Sequence, residues 1–319
     1  MLKGLISVEK QPVRGLLAFE WVVLGYGLLT LLYALMLHDK VQGLCDIIGL
    51  RVQAVVVILL SWGLYRIFPC RLTVFIRILA QLLLLGSWYP ETFELNRFLP
   101  NLDHVFATWE QQLFGFQPAL VFCKEYASPW VSELLTLGYE SYYPLMGIVP
   151  LFYLFRRYDE LPKAAFVIIG SFFVFYLVFL FLPAGGPQYY YPAAGIENIR
   201  QGIFPNIGTY FMGDYEGLPI PGWEDGLMYK TLQVMHAAGE RPTAAFPSSH
   251  VGVSVVLLWL AWESRNRKLF WSLLPFGVLM FFATFYIQAH YAIDAIAGLL
   301  AGTLIYFGLR GFYLKLKKP

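Results

Sequence analysis

Apolar runs long enough to cross a bilayer are the feature of this sequence that most limits its possible folds. Hydrophobic residues make up 58% of the 319 residues and charged residues 14%, whereas soluble domains carry about 25% charged residues. A helix of about 20 apolar residues spans the roughly 30 Å hydrocarbon core of a bilayer. Because the apolar residues form long blocks and do not alternate strictly with polar ones, membrane-spanning helices are favoured over a β-barrel.

Eight runs have a length that suits such helices. We therefore predict an all-α fold, a polytopic membrane helix bundle with about eight transmembrane helices. The basic N-terminus leads into the first run without a small-residue cleavage site, so this run is expected to be an uncleaved span. The eight runs cover about residues 16–37, 52–68, 72–89, 132–155, 164–183, 248–263, 269–288 and 290–310.

The distribution of basic residues predicts the orientation of the bundle. An even number of spans leaves both termini on one side, and the segments on that side contain 15 of the 23 Lys and Arg residues. The opposite side has longer loops but only 7 of these residues. By the positive-inside rule both termini are cytoplasmic, and the long segments 90–131 and 184–247 face outward from the cell (inner) membrane. Arg77 lies within the third span near its inner end, where its side chain can snorkel to the interface.

Composition argues against several other classes of protein. A net charge of +2 gives no reason to expect a nucleic-acid partner. The three cysteines, Cys45, Cys70 and Cys123, are scattered and lack the spacing of metal ligands, which argues against a disulfide scaffold or a zinc site.

Two histidines are expected to meet at the outer surface. His250, in "AAFPSSHVGV", opens the sixth span, and His290, in "QAHYAID", returns to the same boundary after a helical hairpin. Two helices of about 20 residues each cover about 30 Å, so the hairpin ends at the depth where it began. Asp294 follows one helical turn after His290. It can accept a hydrogen bond from one ring nitrogen and leave the other basic, as in a catalytic His–Asp pair.

The start of the sixth span also suits an anion. The first amide N–H groups of a helix have no partners within it, and the dipole is positive at that end. Ser248 and Ser249 can add hydroxyl donors, and Arg241 can add a positive charge. The alternatives are that one serine only caps the helix and that Arg241 is a solvated loop residue.

These segments resemble the signatures of a known enzyme family. "PSSH" at 247–250 resembles the second signature of the type-2 phosphatidic acid phosphatase superfamily, and "HYAID" at 290–294 resembles the third. Within that superfamily the chain is most similar to the inositol phosphorylceramide synthase branch. The similarity covers about residues 90–310 and rests also on "GGPQYYYP" and "LDHVFATWEQQLFGFQP".

The resemblance implies a role for each residue of the site. His290 is the nucleophile that takes the phosphoryl group, Asp294 orients it, and His250 is the acid that protonates the leaving alkoxide. The family needs no metal or other cofactor, which agrees with the lack of a ligand cluster in the sequence.

The chain departs from the family pattern where phosphate-binding basic residues are usual. The third signature commonly begins Ser-Arg, but Ala283 and Thr284 stand here, and the lysine of the first signature is missing. Gln188 of "GGPQ" stands where a basic residue is expected. The predicted phosphate-binding residues are therefore Ser248, Ser249, Arg241 and Gln188.

The sequence thus predicts a metal-independent enzyme of lipid metabolism with its active site on the outer or lumenal face. We expect residues 1–89 to form N-terminal transmembrane helices and residues 90–319 the catalytic core, in the last six helices. The expected reaction moves a phospho-headgroup, such as inositol phosphate, from a phospholipid to a lipid hydroxyl, such as that of ceramide, through a phosphohistidine. The alternatives are a lipid phosphate phosphatase with the same histidine chemistry and a proton-coupled carrier that uses Glu140. The donor, the acceptor and the oligomeric state stay open.

Overall fold

The structure is a computed structural model that describes residues 2–237 and 240–316, and within these residues it is helical without a β-strand. Short 3₁₀ turns lie at Tyr158–Glu160 and Tyr210–Met212. The α-helices are α1 (Leu2–Leu5), α2 (Ala18–Met36), α3 (Leu44–Ile67), α4 (Arg71–Asn96), α5 (Asp103–Phe114), α6 (Pro118–Glu125), α7 (Pro129–Glu140), α8 (Tyr142–Arg156), α9 (Leu161–Phe181), α10 (Pro187–Ala194), α11 (Ile196–Arg200), α12 (Leu227–Ala237), α13 (Ser249–Glu263), α14 (Arg267–Tyr286) and α15 (Ala292–Leu316).

The predicted polytopic helix bundle is confirmed, with a difference in two of the eight spans. Among the described residues, six helices are long and apolar enough to cross a membrane: α2, α3, α4, α9 with its preceding 3₁₀ turn, α14 and α15. The run 248–263 forms only the 15-residue helix α13. The run 132–155 is divided at Ser141 into α7 and α8. Pro144 explains the division, because a proline ring collides with the carbonyl of the residue four positions earlier.

Helices α2–α4 pack together around buried ion pairs. Arg77 does not snorkel as predicted: its Nε donates to Glu20 Oε1 at 2.8 Å, and neither side chain is exposed. Arg51 pairs with Glu91 in the same three-helix unit and also donates to the carbonyl oxygen of Gly27. Charges among membrane helices are costly unless they are paired, so each arginine is held inside the protein by its carboxylate.

Helix α13 lies at the centre of the second part of the bundle, in contact with α8, α9, α14 and α15. Its backbone approaches α15 closely because glycines face each other. A Cβ atom on Gly302 would overlap the carbonyl oxygen of Gly252, and one on Gly298 would overlap that of Ser248. The Ser248 N–H donates to the carbonyl oxygen of Asp294 at 3.0 Å. These contacts fix the height of His250 relative to the start of α15.

The two segments predicted to face outward are folded over the same end of the bundle as the start of α13. Helix α5 buries one face, which includes Asp103, Phe106 and Glu110. Helix α12 is attached to α7, since the carboxylate of Glu133 accepts the N–H groups of Met228 and Tyr229 at 3.1 and 3.2 Å. These two segments therefore contain ordered helices at the end of the bundle where the two histidines lie.

Candidate active site

The structure brings the two histidines together. His290 Nε2 lies 3.4 Å from His250 Nδ1, and the ring centroids are 5.6 Å apart. His250 is in the first turn of α13, and His290 lies between the end of α14 and the start of α15. The helical hairpin thus returns the chain to its starting depth, although the two residues are 40 positions apart.

The second ring nitrogen of His290 is held by a backbone carbonyl. Nδ1–H donates to the carbonyl oxygen of Ala245 at 2.8 Å, so the lone pair of the neutral ring is on Nε2 and faces His250. Asp294 Oδ2 lies 3.7 Å from Nδ1 and accepts the N–H of Tyr291 at 2.8 Å. The expected partner of Nδ1, the Asp294 carboxylate, therefore lies beside the ring at ion-pair distance, and Ala245 takes the hydrogen bond.

Burial keeps His290 neutral. The residue is 4% exposed, and loss of hydration of the imidazolium lowers the pKa of His290 to about 4. The hydrogen bond to Ala245 acts in the opposite direction and is the smaller effect. At neutral pH the Nε2 lone pair is consequently available for attack on an electrophile.

Two tyrosine rings hold His250. Its ring stacks on Tyr139, with centroids 4.7 Å apart, and packs against Tyr142, with centroids 4.6 Å apart. The division between α7 and α8 at Ser141 lies between these tyrosines. The faces of phenol rings carry partial negative charge, which suits a protonated imidazole.

A cleft joins the histidines to three of the predicted phosphate-binding residues. Ser249, Gln188 and Arg241 all line it, and its cavity volume is about 20 Å³. The Gln188 amide nitrogen also donates to the carbonyl oxygen of Leu218 at 3.2 Å. Ser248 is fully buried and caps α13, with its hydroxyl oxygen accepting the N–H of Val251 at 3.4 Å. The capping alternative thus describes Ser248, whereas Ser249 faces the cleft.

Glu240 lines the cleft next to Arg241. Burial raises the pKa of the Glu240 carboxyl to about 7. This residue was not among those chosen from the sequence, because a single acid in a loop that is rich in Gly and Pro carries no spacing signal. Glu140, which the carrier alternative used, instead contacts the hydroxyl of Thr231 on α12.

Two carboxylates of α5 adjoin the site and were also missed. Asp103 accepts the N–H groups of Gly185 and Gly186 at 2.6 and 2.8 Å, and Glu110 accepts the N–H of Ile293 at 3.2 Å. Burial raises the pKa of both, for Glu110 to about 8. Their seven-residue separation on an amphipathic helix was the available signal, since it places both acids on one face.

No group of three or more His, Cys, Asp or Glu side chains is arranged to hold a metal ion within residues 2–237 and 240–316. Metal independence stays a prediction and has its own test below.

Comparisons with known proteins identify the family. Residues 104–307 match the PAP2 superfamily. A segment of 78 residues is 33% identical to undecaprenyl-diphosphatase BcrC of Bacillus subtilis (strain 168); it is 23% of this chain and 36% of that protein, so little more than a third of the relative is spanned. No solved structure matches the chain. Because the superfamily match covers more than half of the sequence, the chain belongs to the PAP2 superfamily. The predicted superfamily is confirmed, and lipid phosphate chemistry of the phosphatase type is supported.

Proposed function

From its membership of the PAP2 superfamily, we propose that this membrane protein hydrolyses a lipid phosphate or diphosphate through a phosphohistidine on His290. The observation that carries the proposal is the pair of ring nitrogens, His290 Nε2 and His250 Nδ1, 3.4 Å apart in a cleft at one end of the bundle. The name of the partial relative, an undecaprenyl-diphosphatase, supports a phosphorylated lipid as the substrate class.

In the first step the Nε2 lone pair of His290 attacks phosphorus. The P–N bond forms as the bond from phosphorus to the leaving oxygen breaks, and His250 donates a proton to that oxygen. Nδ1–H keeps its hydrogen bond to Ala245, and the nearby Asp294 carboxylate favours the positive charge that develops on the phosphorylated ring.

In the second step a water molecule attacks the phosphohistidine. His250, now neutral, accepts the proton of the water, the P–N bond breaks, and its electron pair returns to Nε2. Both histidines regain their starting forms, and the products are the dephosphorylated lipid and phosphate. A histidine suits both roles because its ordinary pKa of about 6.5 lies near working pH.

Charge on the phosphorus oxygens would be met by several donors of the cleft. The first amide groups of α13, the helix with His250 in its first turn, would supply N–H donors, and Ser249, Arg241 and Gln188 line the cleft. Phosphate binding by these residues, with Ser248 acting through its cap of α13, is part of the proposal. The position of the basic residues supports an active site on the outer face of the cell membrane, with both termini cytoplasmic.

A second function, transfer to a lipid hydroxyl, is favoured by one observation. Arg241 is the single Lys or Arg among the described residues that line the cleft. A phosphodiester carries one negative charge and needs fewer cations than a monoester dianion. In this alternative the donor is a phospholipid such as phosphatidylinositol, and the hydroxyl of a lipid such as ceramide attacks the phosphohistidine instead of water. This retains the resemblance to inositol phosphorylceramide synthases.

One set of assays separates these proposals. Purified protein in detergent receives a lipid monophosphate, a polyprenyl diphosphate, or phosphatidylinositol with ceramide, each with and without EDTA. We expect release of inorganic phosphate from the first two substrates and unchanged rates in EDTA. A headgroup-bearing ceramide product would instead establish transfer. Rapid quenching should trap labelled phosphate on His290, and turnover without a labelled histidine would contradict the covalent mechanism.

A further inference from the structure

One face of α5 contacts three chain segments at or next to the cleft. Asp103, Phe106 and Glu110 lie at positions i, i+3 and i+7 of this helix, and all three are buried. The segments are the Gly-Gly-Pro-Gln turn at 185–188, the Pro-Ser-Ser-His segment at 247–250 and the nucleophile segment at 288–294. Not one of the three α5 side chains lines the cleft itself.

Asp103 holds the Gly-Gly-Pro-Gln turn. Its two carboxylate oxygens accept the N–H groups of Gly185 and Gly186 at 2.6 and 2.8 Å. Gly186 has a φ of +80°, and a Cβ atom there would overlap the carbonyl oxygen of Ala289, the residue before His290. The same Cβ would lie 3.3 Å from that of Ala245, the residue whose carbonyl accepts His290 Nδ1–H. The turn therefore fits between the two segments that orient the nucleophile.

Both of these segments contain strained backbone. Ala244 has a φ of 68° and Gln288 a φ of 64°, in the left-handed region that non-glycine residues seldom occupy. Such conformations persist only where the surrounding structure holds them. The N–H of Gln188, the last residue of the turn, donates to the carbonyl oxygen of Gln288 at 2.9 Å. The turn is thus bonded directly to one strained residue, Gln288, and lies against Ala245, the residue after the other.

Phe106 and Glu110 hold the other two segments. The Phe106 ring stacks on Phe246, just before the Pro-Ser-Ser-His segment, with centroids 4.2 Å apart and an interplanar angle of 15°. Glu110 Oε2 accepts the N–H of Ile293 at 3.2 Å, in the first turn of α15 and next to Asp294. Helix α5 therefore makes polar contacts with the turn and with the nucleophile segment, and an aromatic contact with the residue just before the Pro-Ser-Ser-His segment.

We propose that Asp103 and Glu110 are positioning residues, which set the relative placement of His250, His290 and the phosphate-binding turn through α5. The proposal rests on the proposed function for the meaning of the site. These residues touch no reacting atom, so the chemistry is performed by the histidines and only their alignment depends on α5.

The test compares substitutions that remove the contacts with substitutions that keep them. Asp103→Asn keeps one acceptor oxygen but turns an NH₂ group toward the second glycine N–H. Glu110→Ala removes the acceptor for the N–H of Ile293, whereas Glu110→Gln keeps one. We expect kcat to fall about 10- to 100-fold in Asp103→Asn and Glu110→Ala, with KM within about twofold. Glu110→Gln should recover most of the activity of Glu110→Ala. The matched control is Glu263→Gln, a partly buried carboxylate at the other end of α13, which should lower Tm without lowering kcat.

A second measurement does not depend on turnover. The rate at which diethyl pyrocarbonate modifies His290, followed by mass spectrometry, reports the accessibility of Nε2 in each folded variant. We expect at least a threefold change in Asp103→Asn and Glu110→Ala, and none in Glu263→Gln. If the acid variants fail to fold, Phe106→Leu provides a milder change on the same helix. It should change kcat and the His290 modification rate in the direction expected for the acid variants.

Separate outcomes would overturn the two proposals. Wild-type protein that turns over no lipid phosphate or phosphodiester would contradict the proposed function, while the modification rates would still test the positioning role. An active wild type whose folded α5 variants keep their kcat and their His290 modification rate would overturn the positioning role alone.

Discussion

Helices α13 and α15 pack together, and one carboxylate lies near each end of their contact. The two carboxylates, Glu263 and Asp294, have different partners. At the end away from the cleft, Glu263 accepts Arg310 Nε–H at 2.7 Å and Tyr306 O–H at 2.8 Å, and Lys163 Nζ lies at 3.1 Å. At the cleft end, Asp294 accepts a backbone N–H and lies beside His290, and the described residues place no Lys or Arg in contact with it.

This difference suggests that Glu263 stabilises the fold, whereas Asp294 serves the candidate active site. Cations around Glu263 compensate its charge within the folded protein, so this end has little electrostatic demand for a ligand. Asp294, Asp103 and Glu110 are fully buried, and backbone N–H groups donate hydrogen bonds to all three. Asp294 lies beside the His290 ring, so its carboxylate would stabilise positive charge on that ring in the proposed phosphohistidine. Ion pairs and hydrogen bonds thus join the helix pair at one end, whereas the other end carries the candidate active site.

The largest expected effect comes from removing the proposed nucleophile, His290, at the cleft end. His290→Gln should lower turnover by at least about 10³-fold, because a carboxamide has no nucleophilic nitrogen lone pair to form the proposed covalent intermediate. Phosphate release and labelling of the protein with phosphate measure the loss. Tyr306→Phe, at the opposite end, is the control and should turn over normally. A His290→Gln protein with a tenth of wild-type activity would break the comparison.

Exchanging each carboxylate for its amide should give opposite results at the two ends. Asp294→Asn should lower kcat about 10²-fold with little change in Tm, because the backbone contact of Asp294 can be kept by an amide oxygen. Glu263→Gln should keep kcat but lose roughly 1.5–3 kcal/mol of stability, as expected for charged hydrogen bonds. Assays of turnover and of thermal unfolding in detergent measure both. Equal effects on kcat would remove the distinction between the ends.

A smaller effect is expected from removing Arg241, which tests whether the cleft binds the negative charge of the substrate. Arg241→Ala should raise KM for a lipid monophosphate about tenfold and for a phosphodiester less, since one charge-assisted hydrogen bond is lost. Steady-state kinetics with both substrates measures the ratio. Arg200→Ala, which removes an arginine paired with Glu197 away from the cleft, serves as the control. Equal changes for both substrates would argue against a role for Arg241 in reading substrate charge.

The smallest expected effect is on pH dependence. His290 has a pKa of about 4 in the folded protein and about 6.5 in the unfolded chain. Between these pH values the ring is neutral when folded and protonated when unfolded. Its neutral burial therefore contributes stability above pH 6.5, and this contribution is lost as pH falls toward 4. Wild-type Tm should decline by several degrees more than that of His290→Gln over this range. Parallel Tm profiles would show that the imidazole is not buried in its neutral form.

Much of the fold follows from the sequence because its causes are local. Apolar runs of membrane length predict spans, and an intact hairpin returns His290 to the depth of His250. Pro144 also carried a local signal for the division of α7 from α8, which counting apolar residues overlooked.

The contacts that were missed depend on partners far away in the chain. Arg77 is 57 positions from Glu20, and Asp103 is 82 positions from Gly185. Sequence reasoning found the histidines because two spans relate them, but no spacing rule relates a carboxylate on α5 to a glycine turn after α9. The carbonyl of Ala245 was missed for a different reason, since every residue has a carbonyl and nothing in its identity marks this one.

The close contact of Gly252 with Gly302 has a consequence for biosynthesis. The site requires α15 to lie against α13, and α15 follows every other described helix in the chain. During synthesis, the final hairpin is at first still in the ribosome or the translocon. At that stage His250 and His290 cannot lie next to each other. The proposed histidine chemistry is consequently expected to start only once the final hairpin has been inserted.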